Sequence, residues 1–182
     1  IRAKVANVLE VAAVEDVDSV EVLVRLHIFH LLQTASPHTK DLDASVPARG
    51  LHGEAYRGHV FCVELFVFPF LNLRMPEITR GLLLYRYRRL PEAREAARAA
   101  GYRGAMFPWQ SGSNGREETD QQFFNPRSGR WMPDHSHRQR HVGAAVAYNV
   151  WQYYEVTADL EFLVDYGAEE LLDMASFWAR AS

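Results

Sequence analysis

The sequence holds a single cysteine, Cys62, so no internal disulfide can form and nothing requires an oxidising compartment. Lysine is almost absent: Lys4 and Lys40 stand alone, and arginine carries the remaining positive charge, a bias that a GC-rich code produces as readily as a function does. Neither sign of charge is in excess. A formal charge of -3 and a pI near 6.3 leave no electrostatic footprint for nucleic acid or an anionic membrane. Apolar runs fall far short of the ~20 residues of a membrane span. The opening "IRAKVANVLEVAAVEDVDSV" has acidic residues soon after its apolar stretch and no small-residue cleavage site, so it does not read as a signal peptide. Also missing are GxGxxG, a phosphate-binding P-loop and a G-x-S-x-G elbow. The expectation is a soluble, cytoplasmic protein with no metal and no organic cofactor.

What is present is ordinary in bulk and uneven in order. With 182 residues, 48% hydrophobic and 24% charged, the chain is long enough for one domain with a real core. Residues 19–33 place Val20, Leu23, Val24, Leu26, Phe29, Leu31 and Leu32 on a broad helical face. A Pro-, Gly- and Ser-rich loop follows, and from Val60 a helix apolar on nearly all sides is expected to about Leu73, kinked or broken at Pro69. Pro76 starts another helix with Ile78, Leu82, Leu83 and Tyr85 inward, and "PEAREAARAAGY" a further one that Gly101 stops. After a second long loop, 102–136, come the helix in "RQRHVGAAVAYNVWQYYEVT", a short helical piece and an amphipathic helix from Ala168. No period-2 strand is evident. The fold class is all-α, helix pairs joined by short turns and by long loops that meet on one side of the bundle.

Three stretches could carry chemistry. Residues 49–64 combine Arg49, His52, Glu54, Tyr56, Arg57, His59 and Glu64, a mixture suited to a polyhydroxylated ligand, although Arg57 and Glu54 could equally pair across a loop. "FPWQSGSNGREETD" sets Trp109 beside a Gln/Ser/Asn cluster, as proteins do when a sugar ring lies on an indole; Glu117 and Glu118 are adjacent and cannot face each other as an acid/base couple. In "DHSHRQRH", His137 and His141 are four apart and could clasp a metal with Asp134 if both were helical, but no glutamate of the zincin kind accompanies them. Cys62 lies in an apolar setting that disfavours its thiolate, and reads as a packing residue.

The segments "PARGLHGEAYRGHVF", "ELFVFPFLNLRMPE", "LLLYRYRRLPEAREAARAAGYRGAMFPWQSGSNGREET" and "AAVAYNVWQYYE" strongly resemble the glycoside hydrolase family 65 enzymes. That family includes trehalose, maltose and kojibiose phosphorylases and acid trehalases. The resemblance runs from about Leu26 to Ser182 and implies part of an (α/α)6 barrel. It implies inverting cleavage of an α-linked glucose disaccharide, with inorganic phosphate as co-substrate in the phosphorylases or water in the hydrolases. The family's general-acid glutamate and phosphate loop lie in later segments, so no catalytic residue is assigned, and a missing C-terminal half or self-association is expected. By position, Arg57, His59, Glu64, Trp109, Glu117 and His141 match its pocket-side motifs. Cys62 and Val63 stand where family members carry Trp-Asp, in the subsite for the glucose that is cleaved off. Losing that carboxylate corresponds to about 1.5–3 kcal/mol. These two residues are therefore expected to mark a weakened pocket.

Overall fold

The computed structural model describes residues 17–46, 59–60 and 64–181. Among the described residues seven α-helices follow in chain order: α1 (Val17–Leu32), α2 (Glu64–Arg74), α3 (Pro76–Arg88), α4 (Leu90–Ala99), α5 (Val142–Thr157), the short α6 (Leu160–Phe162) and α7 (Ala168–Ala181). A π-helical turn, Leu163–Gly167, carries the chain from α6 into α7. Local chemistry accounts for several boundaries. Pro76 opens α3, where a missing N–H costs nothing, with Glu77 in the first turn and Arg86 and Arg88 in the last. Gly101, at φ +83°, ends the α4 segment in the left-handed region. Asp159 caps α6 by accepting a 2.9 Å hydrogen bond from the Phe162 N–H.

The apolar faces meet in two adjoining cores. The larger joins α2, α3, α5 and α6 through Val67, Phe68, Leu71, Leu83, Val150 and Phe162. In the second, Leu90 and Ala93 of α4 meet Phe107, Val142, Val146 and Met174. The expected inward residues of α3 are buried, Ile78, Leu82, Leu83 and Tyr85 all at 5% exposure or less.

Four expectations are corrected. Val60 is not helical: it forms an isolated bridge to Ser111, and the helix begins at Glu64. That helix is not apolar-and-buried on all sides, since Phe66 and Leu73 face outward, as do Val22, Leu23 and Phe29 of α1. It runs through Pro69 unbroken, which leaves the Leu65 carbonyl without its usual helical partner. The fold is also not purely helical. Strands β1 (Gln122–Asn125) and β2 (Arg130–Pro133) form an antiparallel hairpin inside the second long loop, with Phe123 opposite Met132 and Phe124 opposite Trp131. Its turn is set by Asn125, whose side-chain oxygen accepts from the Arg127 and Ser128 N–H groups.

Gly104 fixes how closely the chain after α4 approaches α7. Its φ is +73°, and a Cβ there would lie 1.9 Å from the Asp173 carbonyl oxygen; Gly101 has open space around it. Gly104→Ala should therefore destabilise by several kcal/mol, well beyond the roughly 1 kcal/mol left-handed penalty expected for Gly101→Ala. Chemical denaturation of the two variants side by side measures the difference.

Candidate functional site

The two long loops are stitched together by backbone. Val60 and Ser111 exchange N–H···O bonds of 2.9 Å in both directions, and Ser111 also bridges to Glu117. The helices hold this seam from beneath. The Tyr85 hydroxyl lies 2.8 Å from Ser111 Oγ and donates to the Gly112 carbonyl. Arg89 donates to the Ser113 carbonyl from Nε at 3.1 Å and Nη2 at 2.5 Å, and its third nitrogen, Nη1, pairs with Asp43. Its cation also sits 4.3 Å from the Tyr85 ring centre. The Arg89 bond holds the Asp43 carboxyl below the usual carboxylate range. Asp43, Ser45, Val60, Tyr85 and Ser111 line a partly open hollow of about 100 Å³ between the loops.

Below the seam lies a buried ion pair. Glu64, the first residue of α2, accepts from Arg86 of α3 at 3.1 Å (Nη2) and 3.3 Å (Nε), and Ser45 donates to its other oxygen. Both charged side chains are almost wholly buried. The Arg86 guanidinium also stands over the rings of Tyr85 and Phe107, at 5.6 and 5.8 Å.

The other candidates lie along the second loop. Glu117 fastens the loop to itself: its carboxylate accepts from the backbone N–H groups of Trp109 (2.8 Å) and Gln110 (3.1 Å) and from Thr119. Trp109 is half-buried against the second core, and its indole meets the His141 ring edge-on at 5.2 Å, 63° between planes. The structure thus brings Trp109, Glu117 and His141 into one cluster, and His59 directly precedes the Val60–Ser111 bridge. The imidazole Nδ1 of His59 is buried with no partner among the described residues. Beyond Glu117 a cleft of about 430 Å³ opens between α4 and the chain at His137 and Arg140, floored by Ala96, Met106 and Pro108. Arg57, Cys62 and Val63 lie outside the described residues, as do Arg49, His52, Glu54 and Tyr56.

The alternative of a metal clasp finds no support in the geometry. His137 sits in a one-turn 3-10 segment and His141 just before α5, and no group of three metal-ligating side chains occurs among the described residues. Sequence reasoning missed Arg86, Arg89 and Ser45, and took Ser111 only as part of a Gln/Ser/Asn cluster. Arg86 could have been found: it lies four residues after Leu82 and three after Leu83, on the inward face of α3.

Residues 25–182 match the model of the glycosyl hydrolase family 65 central catalytic domain. The chain belongs to glycosyl hydrolase family 65. It is 67% identical, over 86% of its length, to an uncharacterized glycosyl hydrolase of Mycobacterium tuberculosis, of which it covers 12%. A trehalose 6-phosphate phosphorylase of Lactococcus lactis is 43% identical over 96% of the chain and 23% of that protein. For a kojibiose phosphorylase of Caldanaerobacter subterraneus the identity is 41%, over 91% and 21%. The solved structure named "Putative kojibiose phosphorylase from human microbiome" superposes with a TM-score of 0.67 at 29% identity, covering 82% of this chain and 18% of that one. The chain thus spans less than a quarter of the length of these family 65 relatives. No helix among the described residues is long and apolar enough to cross a membrane.

Two measurements follow from this arrangement. Removing one member of the buried pair, as in Arg86→Met or Glu64→Leu, should cost about 3–5 kcal/mol, and the double variant should recover much of it, because an unpaired buried charge costs more than the pair gains. Urea titrations of the three variants and the parent close that cycle. Glu117→Ala should loosen the loop locally by about 1–3 kcal/mol and lower the amide-exchange protection of Trp109 and Gln110 while helix amides keep theirs.

Proposed function

We propose that this chain is the stretch of a family 65 catalytic barrel that carries one wall of the sugar pocket, in a protein acting on an α-linked glucose disaccharide by inverting phosphorolysis or hydrolysis. The observation that carries this reading is the meeting of the two long loops at Val60 and Ser111, in a chain whose relatives include a kojibiose phosphorylase and a trehalose 6-phosphate phosphorylase. On this reading Trp109 supplies a ring face, His59 a hydroxyl contact and Arg57 and His141 polar groups at the rim. Glu64 and Glu117 act by holding the walls, because their carboxylates are already engaged by Arg86 and by the Trp109 and Gln110 amides. Inorganic phosphate is then a co-substrate bound by a part of the barrel this chain does not carry, and the chain alone does not catalyse.

A second reading, a non-catalytic sugar-binding or self-associating relative, rests on Cys62 and Val63. If Trp and Asp belong at those positions, their loss removes an apolar platform and a carboxylate acceptor, a deficit of roughly 10- to 150-fold in sugar binding. The outward apolar side chains of α1 and α2 favour association under either reading, with the remainder of a barrel or with a second copy.

Isothermal titration with glucose, trehalose and kojibiose separates the readings. A Cys62→Trp/Val63→Asp double variant should bind at least tenfold more tightly than the parent. Equal failure of both would sink the pocket assignment.

A further inference from the structure

Glu170 is the least explained group in the molecule. It sits in the first turn of α7, wholly buried, and neither carboxyl oxygen has a hydrogen-bond partner among the described residues. Its neighbour Glu169 is different: it faces outward to Tyr87 and Arg94. The charges that act on Glu170 come from three elements: Arg86 of α3, Glu64 of α2 and Glu169 of α7 itself. Helix α4 offers Arg94, but that guanidinium is engaged by Glu169 and Asp173. The phenol of Tyr153 on α5 goes to Asp159.

Two carboxyl groups therefore share the field of one buried guanidinium that already makes two hydrogen bonds to Glu64. A second anion there would gain only part of one cation's attraction while bearing the whole cost of leaving water and the repulsion of Glu64. The group is most stable as a neutral acid, whose one proton leaves no net charge to bury.

We propose that Glu170 is held as a neutral carboxylic acid in the core at the start of α7, and that its ionisation destabilises the fold. Its complete burial and its two unpartnered oxygens carry this, independently of the sugar-pocket reading.

The direction of the pH dependence follows. Burial pushes the Glu170 carboxyl up to about 8, against Arg86, which lowers it, and with Glu64, which raises it. In the unfolded chain it returns to the ordinary carboxylate range near ~4.3. A raised folded-state value means that stabilisation is fully present below the unfolded value and is lost as pH climbs from there to about 8.

Two readouts on the intact chain test it. Difference infrared spectroscopy of the parent should show a carboxylic-acid C=O band that persists at pH 7, disappears by pH 9 and is missing in Glu170→Gln. The melting temperature of the parent should fall between pH 6 and 9 more steeply than that of Glu170→Gln, which keeps shape and neutrality. Parallel melting profiles overturn the effect of ionisation on stability, and the absence of the acid band in the parent at pH 7 overturns the whole proposal, even if Glu170→Gln fails to fold.

Discussion

A guanidinium sealed inside a helical core is the constraint around which the rest arranges itself. Arg86 enters from the inward face of α3, where its neighbours one turn back are Leu82 and Leu83. A buried guanidinium has to be given an anion and aromatic faces by the fold around it. Glu64 is that anion, Ser45 satisfies the far oxygen of the carboxylate, and Tyr85 and Phe107 take the flat sides of the cation. Each of these comes from a different segment. One buried charge thereby fixes the first loop, the start of α2, the end of α3 and the chain after α4 relative to one another.

Arg89, three residues on at the junction of α3 and α4, repeats the arrangement beside the same core. It grips the Ser113 carbonyl and Asp43, and with Tyr85 it holds the second loop against the first. The seam, proposed above as one wall of a sugar pocket, is thus held by side chains that reach it from α3 and its end. Family 65 membership gives that proposed wall its meaning, and the backbone bridge of Val60 to Ser111 sets its geometry.

Most helices were legible because periodicity and punctuation agree: Pro76 and Gly101 mark ends, and α3 buries the four residues its pattern selects. The hairpin was not legible, because strands of four residues exposed on both faces show no alternation. Its turn signal, Asn125-Pro126 with Gly129, was present and carried no strand signal beside it. The same limit applied to Val60, whose apolar continuation into α2 reads as helix although its backbone is committed to Ser111. At the site, sequence picked out Trp109, Glu117 and His141 but not what Glu117 does. A carboxylate that clasps two backbone amides and one that awaits a sugar look alike in a string of letters.

The Val60–Ser111 bridge has a kinetic side. Fifty residues intervene between its two ends, and three complete helices lie among them. Helices of this length form on the microsecond scale from local contacts, whereas the bridge has to wait until α2, α3 and α4 have docked. Loop closure across such a span is entropically costly, and only two backbone hydrogen bonds repay it directly. The seam should therefore close after those three helices have docked and open before they part. Substitutions within it should speed unfolding while leaving the folding rate almost untouched.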